Sequence, residues 1–171
     1  MTPGAATQID YRHLLQGDVR LLADPIAQRM LASTELARFA YVATDGTPRV
    51  IPIGWIWNGA EIVMATFAKS TKLRALRRNP AVAITIDEPG PPPNVLLIRG
   101  RTVLDEVDGV PAEYEQMQIR NYGPEHGAAA VEAVRKSGAH MVRIVVEPTW
   151  VATLDFQTRF PGGLVAAGLA G

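Results

Sequence analysis

Residues 49–80 read RVIPIGWIWNGAEIVMATFAKSTKLRALRRNP, and the fold turns on their order. An apolar run, Arg49 to Trp57, is followed by Asn58-Gly59 and a second run, Glu61 to Thr66. Strand, two-residue turn and strand predict an antiparallel hairpin, because Asn-Gly accepts the positive φ angles that such a turn requires. A helix then opens on Lys69-Ser70-Thr71-Lys72 and is stopped by Asn79-Pro80. Leu73 and Leu76 are three apart, so they share its inward face. The first N–H groups of a helix have no internal partner, and its dipole is positive at that end. A phosphate there would meet free N–H donors, the hydroxyl of Ser70 or Thr71, which is also the expected cap, and Lys72. The plainer alternative is a solvated basic face formed by Lys69, Arg74, Arg77 and Arg78.

Within the first strand, Pro52 removes a ladder donor, which places it at an edge or opening. Gly54 permits close approach of a backbone or a flat ring. A heterocycle lying along Arg49–Gly54 would find main-chain groups at its rim; an edge strand with an incidental Pro and Gly is the alternative. Trp55 and Trp57 are two apart, which suits a core or dimer contact better than a stacking platform.

Upstream, Asp24-Pro25 opens a helix, with Asp as N-cap and Pro in the first turn. Ala37–Thr44 alternates as a strand that turns at Asp45-Gly46. Residues 1–23 are weakly patterned and read as a loose arm, with a short helix over Tyr11–Leu15. Downstream, Ala81–Ile86 is a strand, the prolines of 88–93 make a stiff loop, and Val95–Val107 is a long strand bulged at Gly100. Pro111–Tyr122 and Glu125–Lys136 are helices. Met141–Glu147 and Trp150–Phe156 are closing strands that meet at Pro148, and residues 162–171 form a small apolar tail. Hairpin connections argue against a doubly wound parallel sheet. About seven short strands predict a mainly β protein with inserted helices, a small antiparallel barrel over residues 24–161.

A chain of 171 residues suits one core. Its 17 Lys and Arg balance 17 Asp and Glu, so no basic field favours nucleic acid, and self-association meets little electrostatic resistance. The lack of cysteine excludes disulfides, thiolate nucleophiles and Cys-based metal sites. His13, His126 and His140 match no metal-ligand spacing. The start has no signal-peptide pattern, and no run approaches the ~20 apolar residues that span a bilayer. A cytoplasmic protein without membrane partners is expected.

In order along the chain, DGTPRVIPIGWIW, GAEIVMATFAKSTKLRALRRNPAVAITID, VLLIRGRTVL and MVRIVVEPTWVATLDFQTRFP resemble the pyridoxamine 5′-phosphate oxidase-like superfamily. These are the flavin and deazaflavin oxidoreductases of FMN-binding split β-barrel fold, and the likeness covers Asp24 to Pro161. It implies a homodimer with cofactor sites at the interface. It implies FMN or, alternatively, the deazaflavin F-420. Arg49 and Lys72 then correspond to phosphate-binding residues, and Ser70 and Thr71 to helix-start donors, with Lys69 beside them. Val50, Ile51 and Pro52 correspond to the strand that lines the ring, and Thr66 to a hydroxyl that reaches the cofactor. Trp150 and Asp155–Arg159 correspond to the closing segment that borders the partner's site. The chain departs from true pyridoxamine phosphate oxidases at Gly54, where those enzymes carry lysine, and after Asp155, where their Arg and His pattern is missing.

The expected activity is therefore hydride transfer between the cofactor and a small unsaturated substrate. A non-catalytic flavin carrier or sensor would use the same residues. A haem-handling branch fits less well, since no histidine sits in a strand facing the site. The anionic tail of F-420 would want a basic groove, for which Lys69, Arg74, Arg77 and Arg78 are the candidates.

Overall fold

Seven strands form one antiparallel sheet in the computed structural model, which describes residues 9–169. They are β1 Ala37–Val42, β2 Pro48–Ile53, β3 Ile56–Trp57, β4 Ile62–Phe67, β5 Ala81–Glu88, β6 Asn94–Val107 and β7 Met141–Leu154. Their spatial order is β2-β1-β5-β6-β7-β4-β3. β2 and β3 lie at opposite edges, yet only Gly54 and Trp55 separate them in sequence. Three Cα steps reach at most about 11 Å, so the sheet curls until its edges meet there.

Two strands differ from expectation. The run from Arg49 to Trp57 breaks at Gly54-Trp55, because Trp55 is fully buried and its Nε1 donates to the Glu35 carbonyl at 2.8 Å. Turning that ring inward takes the backbone out of the ladder. The two closing strands instead merge into β7. Pro148 is accommodated because it pairs with Gly100, where the register shifts at a bulge. A Cβ on Gly100 would lie 2.4 Å from the Glu147 carbonyl oxygen, which explains the glycine.

The helices are α1 Pro25–Leu31, α2 Thr71–Arg78, α3 Ala112–Tyr122, α4 Pro124–Lys136 and α5 Gly162–Ala166. Asp24 caps α1 as expected, its Oδ1 accepting the Ile26 N–H at 2.9 Å. Inward-facing Phe39, Ile62, Met64, Ile84, Leu96, Ile98 and Ile144 fill the core, joined by Leu73 and Leu76 of α2 and Met30 of α1. α3 and α4 form a hairpin, of which α3 packs over β3 and β4.

The arm is packed rather than loose. Leu21 is fully buried. The Gly17 N–H donates to the Val151 carbonyl at 2.7 Å, and the Gln16 amide exchanges two bonds with the Thr153 backbone. Residues 9–23 thereby cover the half of β7 that β4 does not reach, an edge otherwise open to pairing. The expected short helix is a 3-10 turn, Tyr11–His13. Residues 1–8 of the arm and 170–171 of the tail lie outside the described residues.

Candidate functional site

Thr66 follows Ile62 and Met64 on the inward face of β4 and is 8% exposed. Lys72, in the first turn of α2, reaches back to it: Nζ donates to Thr66 Oγ1 at 2.8 Å and to Ser70 Oγ at 2.9 Å. Desolvation of the half-buried ammonium pulls the Lys72 pKa below the ordinary lysine value. Ser70 occupies the N-cap position, but its hydroxyl makes no cap bond, contrary to expectation; it accepts from Lys72 Nζ instead. Among the described residues, the N–H groups of Thr71 and Lys72 have no protein acceptor.

β2 precedes β4's neighbour β3 across the break at Gly54-Trp55, and β3 pairs with β4 by Ile56 with Val63 and Trp57 with Ile62. No ladder joins β2 to β4, however; β2 pairs with β1 alone. Main-chain groups on its outer edge therefore have no partner strand. Val50 and Pro52 are exposed on one side of β2, while Ile51 and Ile53 pack against the core on the other.

Thr66, Ser70, Thr71 and Lys72 are thus gathered together, while Val50, Ile51 and Pro52 run along an edge strand that pairs with β1 alone. Arg49 stays in its own hairpin, donating to Asp45 Oδ2 at 2.9 Å and to the Thr47 hydroxyl. Lys69 points into a separate recess with Phe67 and His140. Arg77 is paired with Glu106.

Sequence reasoning missed what occupies the space at Gly54. A Cβ there would lie 2.1 Å from Met117 Sδ of α3, so a side chain of this protein, not a bound ring, exploits the glycine. Arg120, also on α3, donates to the Trp55 carbonyl at 2.6 Å and lies 5.2 Å from the Trp55 ring centre. α3 has no fully buried residue, so no strong periodic signal marked it as a wall of the site.

Beyond β7, Asp155 organises a tight turn. Burial alone would push its carboxyl up. Hydrogen bonds from the Thr158 hydroxyl and the N–H groups of Gln157, Arg159 and Thr158 outweigh this and bring it to about 2. Phe156 in this turn has φ of 56°, uncommon for a bulky residue. Trp150 lies beneath Arg99, 4.1 Å from guanidinium to ring centre, and packs on Gly17. Among the described residues no cluster of His, Asp or Glu suits a metal, and no helix is long and apolar enough to cross a membrane.

The pyridoxamine 5′-phosphate oxidase family model matches residues 23–155. The chain belongs to this family. A solved F-420 reductase is 29% identical, with 73% of this chain and 94% of that one covered and a TM-score of 0.58. A conserved hypothetical protein from Mycobacterium tuberculosis is 18% identical, covering 76% of this chain and 82% of its own, with a TM-score of 0.61. The heme storage protein HutZ from Vibrio cholerae is 15% identical, covering 77% and 93%, with a TM-score of 0.55. At those identities the latter two share the fold alone. No match to the curated proteins is found. In this member of the pyridoxamine 5′-phosphate oxidase family, α3 covers the junction of β2 and β3.

Proposed function

We propose that this protein is an oxidoreductase that binds a flavin-type cofactor, F-420 in preference to FMN, in the gap between β2 and the β4–α2 connection. The observation that carries this is Lys72: a half-buried ammonium whose hydrogen-bond partners are two hydroxyls rather than a carboxylate, at a helix start with free N–H groups. A buried cation of this kind is costly unless an anion joins it. The donor set fits a phosphate, which would accept from the Thr71 and Lys72 N–H groups, the Ser70 hydroxyl and Nζ. Val50–Pro52 would present main-chain donors and acceptors to the rim of the ring. When bound, the cofactor supplies hydride transfer to or from a small unsaturated substrate. The protein's part is to fix the phosphate, orient the ring along β2, and exclude water at the end sealed by Met117 and Arg120.

F-420 is favoured over FMN by the 29% identity to a solved F-420 reductase. A dimer of split-barrel type suits the outer sheet face. Val50, Ala40 and Ala83 align across β2, β1 and β5, and Val50 is 64% exposed. A second copy placed there would cover this apolar surface and complete the cofactor site. Lys72→Ala is the direct test. Loss of cofactor affinity with retained folding supports the reading, and an unchanged dissociation constant removes it.

A further inference from the structure

We infer that Met117 is a site of oxidative modification: a peroxide that turns its thioether into the sulfoxide loosens α3 from the junction of β2 and β3. The chain has no cysteine and five methionines, so its oxidisable sulfur is methionine alone. Met30 is fully buried, and Met64 and Met141 are 1% exposed. Met1 lies outside the described residues. Met117 is the one described methionine that stands partly open to solvent, and an oxidant in solution reaches an open sulfur before a packed one. In the reaction the peroxide O–O bond breaks and an S–O bond forms at Sδ. Sulfur gives up two electrons, and the peroxide is reduced to water or an alcohol.

The thioether is seated where its conversion matters. A Cβ at Gly54 would collide with Met117 Sδ and lie 3.2 Å from its Cγ and 3.3 Å from its Cε, so the sulfur end of the side chain rests on the bare backbone between β2 and β3. An added oxygen has no room on that side. It also turns a flexible apolar group into a polar one, which packs poorly where a thioether packed well. Arg120 stands about one turn further along α3 and holds the next residue, its Nη2 donating to the Trp55 carbonyl at 2.6 Å. Among the described residues its Nη1 has no acceptor. A sulfoxide oxygen turned away from Gly54 finds a charged donor there and draws the guanidinium from Trp55. Little else resists the shift, because α3 has no fully buried residue. The first turn of α3 stays anchored, with Glu113 accepting from Arg143 at 2.9 Å. Oxidation therefore frees the far end of α3 and leaves the sheet intact.

The junction ends β2, so an effect of oxidation on cofactor affinity rests on the cofactor reading above; the modification itself does not. The test exposes the folded protein to dilute hydrogen peroxide and maps sulfoxide by peptide mass spectrometry, with Met117→Leu as the control. Sulfoxide should form first at Met117, while Met30, Met64 and Met141 stay unmodified until the chain is unfolded in urea; Met1 is scored separately. Oxidised wild type should melt about 2–4 °C lower, the scale of one weakened contact in a chain of this length. Treated Met117→Leu should keep the midpoint of the untreated variant. Methionine sulfoxide reductases A and B together, one for each epimer, should return wild type to its starting midpoint. The F-420 dissociation constant, read from ligand fluorescence, should rise severalfold on oxidation and recover on repair. Oxidation of the core methionines as fast as Met117, or a Met117 sulfoxide that leaves the midpoint unchanged, overturns the inference. A lower midpoint with unchanged F-420 affinity upholds the site and overturns its link to the cofactor. Failure of the untreated protein to bind F-420 overturns the cofactor reading, while the mass and melting data still decide the oxidation site.

Discussion

At the start of α2, burial holds the Lys72 ammonium below the ordinary lysine pKa because its partners are hydroxyls and not a carboxylate. A lysine whose pKa falls on folding opposes stability while charged, and that penalty fades only as pH rises toward the ordinary value of 10.5. Lys72→Met should therefore leave thermal stability at neutral pH unchanged or higher, while cofactor affinity drops about tenfold or more, the scale of a charge-assisted bond. Parallel losses of both would assign Lys72 to folding instead. Asp155 has the opposite sign. Its carboxyl is lowered from 3.8 to about 2, so its contribution is complete above the ordinary value and is lost as pH falls through that window. Thermal midpoints measured down to about pH 2 should decline in wild type by an increment that Asp155→Asn lacks; coincident curves would contradict the assignment. Arg159 is 6% exposed, is paired with Asp24 at 3.5 Å and donates to the Tyr11 and Leu14 carbonyls. Arg159→Met strands a buried carboxylate and frees the arm, so urea unfolding should show a loss of about 3 kcal/mol or more. A loss under 1 kcal/mol would show the pair to be dispensable.

Among the elements, α3 is the one whose role is new. It lies over the junction of β2 and β3, with Met117 in the space a side chain at position 54 would need. Gly54→Val should cost about 1–3 kcal/mol by overpacking, and Met117→Ala in the same chain should restore part of it. No rescue would mean that the glycine serves its backbone conformation instead. The contrast with what the sequence revealed is physical. Hairpin turns, the Asp24 cap and the α2 stop at Asn79-Pro80 depend on neighbouring residues, so local pattern exposed them. The start of α2 was legible for the same reason, since Thr66, Ser70 and Lys72 lie within seven positions. The break at Trp55, the merger of the closing strands through Pro148 and Gly100, and the seating of Met117 on Gly54 depend on partners far away in sequence. Arg49 was expected with Lys72, but Asp45, four residues away across a tight turn, holds it. Ser70 was expected to cap, but a lysine two positions on takes its hydroxyl.

At the scale of the molecule, one curled sheet brings its two edge strands together at Gly54-Trp55, and the proposed cofactor would lie between β2 and the start of α2. The apolar outer face of β1, β2 and β5 leads to a prediction about assembly. On the proposed arrangement sedimentation should show a dimer, and Val50→Asp should shift it toward monomer and weaken cofactor binding at the same time, because the second copy would complete each site. A wild-type monomer at micromolar concentration would contradict that arrangement. The most direct measurement is a fluorescence titration of the purified protein with F-420 and, separately, with FMN, repeated on Lys72→Ala. The prediction is that F-420 binds more tightly than FMN and that removing the Lys72 ammonium weakens it with folding intact. Binding of neither cofactor, or an F-420 dissociation constant that Lys72→Ala leaves unchanged, would contradict the assignment of this opening as a cofactor site.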